Sequence, residues 1–188
     1  MSIIRFLGLY VKYLLAKFKY RGKVRFNGFT IIYAFPKSSI KIWGGVIINS
    51  SFVSNLFGLY QRMIIVARHG GEIEIGENTH MSGSTIYAQH RIKIGRNVLI
   101  GGNCKIVDTD FHPLPVSQRV PQQRVEDIRK APVEIGDGCF IGANSIILKG
   151  TTLGRNCVVG AGSVVTGTFP DNVIIAGNPA RIIRENRP

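Results

Sequence analysis

The chain has 188 residues, with 24 Lys or Arg against 11 Asp or Glu and a formal net charge of +13. Its 45% apolar and 19% charged content excludes an unfolded polar chain, and its length suits one domain with a proper core. Twenty-two glycines beside 8 prolines predict many tight turns, not linkers, and three cysteines without a CxxC pair point to a reducing compartment.

Residues 1–25 come first. The stretch MSIIRFLGLYVKYLLAKFKY has helix-forming content and no Pro, and Arg5, Lys12 and Lys19 recur every seven residues along one side. It predicts a basic amphipathic helix. Its uncharged run, Phe6–Val11, is too short to cross a bilayer. Arg5, Lys12 and Lys17 interrupt the apolar stretch and no small-residue cleavage site follows, which argues against a secretory signal and for a cytoplasmic protein. Two uses stay open: lying in an anionic membrane interface, or packing on the domain or a neighbouring subunit. The overall charge also suits an anionic substrate. Nucleic acid is the weakest partner, because zinc-finger spacing, an RNP aromatic motif and basic heptads are all missing.

Residues 26–175 read as one repeat domain, followed by a tail over 176–188. From Ile135 the text falls into sixes: IGDGCF, IGANSI, ILKGTT, LGRNCV, VGAGSV, VTGTFP. Ile135, Ile141, Ile147, Leu153, Val159 and Val165 open the units, and Cys139, Ser145, Thr151, Cys157 and Ser163 hold the fifth place. The fifth residue and the next first residue are two apart, so in an extended segment both face one side. Gly and Asn at the second and fourth places suit corners that need positive φ. Three strands and three corners make an 18-residue triangular coil, and stacked coils bury a column of aliphatic side chains. The fold is therefore all-β, a parallel β-helix. Copies of the unit stand upstream at Ile75, Ile94 and Ile100, with a looser one over 40–54. The three cysteines share the fifth place, which makes them buried packing residues and not catalysts or metal ligands.

The register slips by one between Met81 and Ile94 and is lost around 55–70, as a bulged or extended coil. Between Ile106 and Ile135 it gives way to a loop, 108–132, which holds four of the eight prolines. A long excursion in a compact domain is usually functional. His112 stands near its root, followed by Pro113 and preceded by Asp108 and Asp110. Imidazole suits general-base work at neutral pH, and a nearby carboxylate can orient it. His69, His80 and His90 lie on or near coils, as surface or subunit-contact residues. Their spacings include no close His pair of the kind a zinc β-helix needs, so no metal site is expected.

DTDFHPL, the long loop, and then PVEIGDGCFIGANSIILKGTTLGRNCVVGAGSVVTGTFPDNVIIAGNPARIIRE resemble the hexapeptide-repeat acyltransferases over about residues 72–185. The likeness is nearest to maltose and galactoside O-acetyltransferases and to those that modify bacterial surface polysaccharides. It implies a left-handed β-helix, a homotrimer with sites between subunits, and acetyl-CoA as co-substrate. It also implies His112 as the base that takes a proton from an acceptor hydroxyl, with Asp110 beside it as the second candidate catalytic group. Residues matching the family's coenzyme positions are Ala143, Ala161, Thr166, Arg181 and Arg184. The implied acceptor is a sugar or lipid-linked glycan, met at the inner membrane face if residues 1–25 bind lipid. Two departures stand out: Gly167 replaces a frequent Lys, and Met81 or Ser82 falls where sugar acetyltransferases carry Asn. Other readings are a sugar N-acetyltransferase, a metal-dependent enzyme of the carbonic anhydrase kind, and a scaffold without catalysis.

Overall fold

The computed structural model describes residues 18–119 and 124–187. Within them the chain winds as a three-faced parallel prism. Seven strands form the first face, running from Phe18–Tyr20 through Ser39–Ile42, Glu72–Ile75, Arg91–Ile94, Val133–Ile135 and Thr152–Leu153 to Thr168–Phe169. The second face starts at Arg25–Asn27 and ends at Val173–Gly177, and the third runs from Ile31–Ala34 to Val164–Val165. The coil is left-handed. Strands stack in parallel register, for example Ile40 with Ile73 and Ile92 with Val133, with one shift where Ile100 meets Met81 and Gly102 meets Ser82.

The first-place aliphatics of the hexads all point inward and are buried, joining one continuous core from Ile32 to Ala180. The fifth-place residues are buried too, and smallness is only part of the reason. Several donate to a backbone carbonyl at a corner of the next coil: Cys104 to Gly142 at 3.2 Å, Cys139 to Gly154 at 3.1 Å, Ser145 to Gly160 at 3.1 Å and Thr79 to Gly95 at 2.9 Å, while Ser163 donates to Gly160 of its own coil at 2.6 Å. A hydroxyl or thiol here satisfies a carbonyl that the core would otherwise strand.

The corners correct one expectation. Positive φ belongs to the fourth place, as at Gly138 (71°) and Asn144 (61°), and not to the second; Gly167 (101°), third in its unit, is a departure. The second-place glycines are required by crowding between coils. A Cβ on Gly142 would sit 2.5 Å from the Ala161 nitrogen.

Three further expectations change. The helix sought over 1–25 lies mostly outside the described residues, and its end is strand: Phe18–Tyr20 pairs with Ile40–Ile42, and Arg25–Asn27 with Ile47–Asn49. The coil therefore begins before residue 26. The tail at 176–188 is no loose end either. Ala180–Glu185 turns back antiparallel on Val173–Gly177, closing the edge of the second face. The break around 55–70 is an excursion over 50–63 followed by the regular strand Ile64–Ala67. Buried Leu59 packs over the shortened corner at Gly83, where the register slips by one.

Outward-facing positions differ by face. On the first face the ladder runs Lys41, Glu74, Lys93, Glu134, with charges alternating along the prism. On the second it runs Ile47, His80, Leu99, Phe140, Val158, Ile174. Alternating charge is a surface built for water; an apolar ladder is not.

Candidate active site

The third face ends at an edge where each coil passes to the first face of the next. There the chain departs after Val107 and returns at Val133. The loop root is pinned as a short antiparallel ribbon. Thr109 bridges Lys130, the Asp110 N–H donates to the Arg129 carbonyl at 3.0 Å, and the Ala131 N–H to that of Asp108 at 3.0 Å.

The two acidic residues before His112 divide their labour. Asp108 is fully buried and accepts the backbone N–H groups of Gln89 at 2.7 Å and His90 at 2.8 Å. It stitches the corner above to the loop root. Burial pushes its carboxyl above the ordinary range, against the pull of the N–H groups of Gln89, His90 and Arg91. Asp110 stands apart. Its Oδ1 meets Lys149 Nζ at 2.8 Å, while Oδ2 is buried without a hydrogen-bond partner. Sequence reasoning missed Lys149, the third residue of the ILKGTT unit; nothing in the repeat distinguishes it from a solvated lysine. Gln89, also missed, is buried at the same corner with its Oε1 unpartnered.

Phe111 separates Asp110 from His112 with φ of 62°, a left-handed conformation that a bulky side chain adopts at a cost of about 1–3 kcal/mol. Its ring lies 5.0 Å from that of Tyr87, on the outer surface of the third face, and its N–H donates to Thr109 Oγ1 at 3.2 Å. This reversal presents His112, exposed, at the loop base, with buried Pro113 behind it.

The other edge of the third face, where the second face passes into it, is built almost without side chains. Gly101, Gly142 and Gly160 stack through successive coils, each followed by Gly or Ala. Ala143 and Ala161 occupy this corner 18 residues apart, joined by the Gly162 N–H donating to the Ala143 carbonyl at 2.9 Å. Ala176 continues the corner, since a Cβ on Gly160 would lie 2.9 Å from its own. Arg181 is the cross-strand partner of Ala176, and Arg184 that of Ile174. A bulge at Ile183 keeps both arginines on one side of the terminal ribbon, because directly opposed residues share a side. Among the described residues their guanidinium groups bond main-chain carbonyls, Ala180 at 2.9 Å and Glu185 at 3.2 Å.

Ala143, Ala161 and Arg181 thus come together at one edge. Thr166, exposed, belongs with His112 to the opposite edge, and the third face separates the two groups within a chain. His69, in a left-handed turn at the His112 edge, is exposed; its imidazole is held below the ordinary value, first by desolvation and then by Arg68 and Lys130. Among the described residues no three His, Cys, Asp or Glu side chains converge as metal ligands. A cleft of about 420 Å³ opens on the first face, lined by Trp43, Glu74, Glu77, Lys93, Arg96 and Asp137. It holds none of the residues singled out above, and its charges are largely paired internally, as Arg96 with Asp137 at 2.9 Å.

A stacked triangular coil with six-residue units defines a left-handed β-helix of the hexapeptide class. The family model described as the hexapeptide repeat of succinyl-transferase matches residues 91–107 and 132–167. The chain thus carries the hexapeptide repeat and resembles the acetyltransferases built on it. It is 38% identical over 118 residues to galactoside O-acetyltransferase of Escherichia coli, covering 62% of this chain and 56% of that one. It is 37% identical over 98 residues to the putative lipopolysaccharide biosynthesis O-acetyl transferase WbbJ of the same organism, with 50% of each covered. Among solved structures it resembles a hexapeptide-repeat containing acetyltransferase of Vibrio cholerae complexed with acetyl coenzyme A, at TM-score 0.58 and 30% identity over 66% of each chain. The chain spans about half the length of the curated relatives it matches.

Proposed function

We propose that the protein transfers an acetyl group from acetyl-CoA to a sugar hydroxyl, within surface-polysaccharide synthesis. The observation that carries this reading is the side-chain-free corner at Gly101, Gly142, Ala143, Gly160 and Ala161, ending at Arg181. A thin pantetheine arm fits against such an edge, exposed backbone amides can bond it, and the arginines at its foot suit coenzyme phosphates. Because His112 stands at the other edge of the third face, a complete site takes one edge from each of two copies. A homotrimer meets that need, and the apolar outer ladder of the second face supplies contact area for it.

In the reaction, a His112 ring nitrogen takes the proton of the acceptor hydroxyl as that oxygen attacks the thioester carbonyl carbon. The resulting oxyanion is held by backbone N–H donors. It collapses with loss of the coenzyme thiolate, and the imidazolium returns the proton to sulfur. Asp110 supplies the carboxylate that holds the charged ring; in support, its Oδ2 has no other hydrogen-bond partner and Lys149 fixes its other oxygen. Thr166 lies on the His112 edge, beside the bound coenzyme of the neighbouring copy. The segment 1–25 adds an electrostatic tether to the inner face of the cytoplasmic membrane, near lipid-linked acceptors.

Purified protein, acetyl-CoA and a panel of sugars test the reading, with free thiol and product mass as readouts. Sugar-dependent thiol release and a base-labile acetyl ester support it. A base-stable product marks N-acetylation, stoichiometric zinc marks a metal enzyme, and silence across the panel marks a scaffold; each overturns it.

A further inference from the structure

The molecule carries its charge and its exposed apolar groups unevenly. Residues 1–71 contain eleven Lys or Arg and not one Asp or Glu; the remaining residues hold thirteen cations and all eleven acids. In the first two coils, Arg21, Lys23, Arg25, Lys37, Arg62 and Arg68 are all exposed. From this basic end the excursion 50–63 projects with Phe52 68% exposed, Val53 84%, Leu56 88% and Phe57 61%.

These side chains are not exposed because the loop lacks a fold. Asn103, on the bare corner one coil before Ala143, accepts the Tyr60 N–H at 3.2 Å and donates to the Gly58 carbonyl at 3.1 Å. Ser54 closes a turn with Ser51 at 2.7 Å, Asn55 Oδ1 accepts the Phe57 N–H at 3.0 Å, and Leu59 is buried beneath. The anchored side of the loop is polar or buried, and its outer side is Phe, Val, Leu and Phe. At its foot Arg62 lies 5.3 Å from the ring of exposed Phe29.

We propose that the loop 50–63 is a membrane wedge: Phe52, Val53, Leu56 and Phe57 enter the interface of an anionic phospholipid bilayer while the basic first coils meet its headgroups. Apolar side chains rimmed by cations are the chemistry of an interfacial anchor, since burial supplies affinity and charge selects anionic lipid. A second copy is the poorer occupant, because matching ridges would set this wholly cationic end against itself. The wedge is formed by residues 50–63 and rests on no step of acetyl transfer. It would hold the bare corner at the bilayer, where an acceptor carried on lipid arrives.

The test is sedimentation of the full-length protein with vesicles of phosphatidylcholine alone or mixed with phosphatidylglycerol. Phe52→Ser/Leu56→Ser is compared with the unaltered chain, and light scattering and thermal melting are recorded for both. Binding should require phosphatidylglycerol, weaken with salt, and fall by about tenfold or more for each side chain removed. Arg62→Glu/Arg68→Glu should lose roughly fivefold per charge. Equal partitioning of the serine variant, or of pure phosphatidylcholine and mixed vesicles, overturns the proposal. So does a changed oligomeric mass in the serine variant, which would make the loop a contact between copies.

Discussion

At the scale of single residues, the loop root assigns opposite duties to neighbours that look alike in the sequence. His112 is exposed at the loop base, and its role is tested by turnover. His112→Ala should lower it by roughly 10²–10⁴ while coenzyme binding, read by calorimetry, is retained. Equal turnover in the variant would remove His112 from the mechanism. Asp108 reads out as stability. Its folded carboxyl titrates above the ordinary range because burial disfavours the charge, so the folded state binds the proton more tightly than the unfolded chain. Its contribution is therefore full below the ordinary carboxylate pKa, near ~3.9, and is lost as pH rises through the raised folded value. Glu74, Asp137 and Asp171, which are held low mainly by hydrogen-bond donors on Trp43, Arg96 and Arg155, have the opposite sign and lose their contribution as pH falls. Denaturation of the unaltered chain and of Asp108→Asn across the acid range isolates the effect: the difference should slope through that window and flatten above it.

At the scale of elements, the two excursions are held by side chains that the repeat reading takes for turn residues. Asn103 is such a residue, with φ of 64°, but its amide also clamps Gly58 and Tyr60. Asn103→Gly keeps the backbone conformation and removes both bonds. Protection of the Tyr60 amide against hydrogen exchange should fall by about 1–3 kcal/mol, with the coils themselves unaffected. Unchanged protection would show that Leu59 alone anchors the loop. The same clamp explains why the register around 55–70 could not be read: a loop tied to a corner six strands further along the chain has no periodic signal. Of the expected breaks, the slip after Met81 is a shortened corner, while the other two fall where the chain leaves the prism, because leaving it frees residues from the inward alternation that the hexads record.

At the scale of the whole molecule, a stack of coils is quasi-one-dimensional and each end needs a cover. Val173–Gly177 would be an open edge of the second face, and Ala180–Glu185 pairs with it. A chain ending at Asn178 should therefore self-associate through the bared strand and melt earlier; a monodisperse elution profile with an unchanged melt would show the ribbon to be dispensable. The sequence alone determined the coil, its core column and the position of the excursion loop, because alternation at a period of six leaves one inward set and forces three corners. It also marked His112 and the small residues at 143 and 161 through the family likeness. Only the tertiary structure decided that these two groups lie on opposite edges of one face, since edges are counted across coils and not along the chain. It likewise decided that second-place glycines answer to the neighbouring coil, that Lys149 reaches Asp110, and that the tail folds back as a strand. Each of these is a contact between rungs distant in sequence, and periodicity carries no record of what a corner touches.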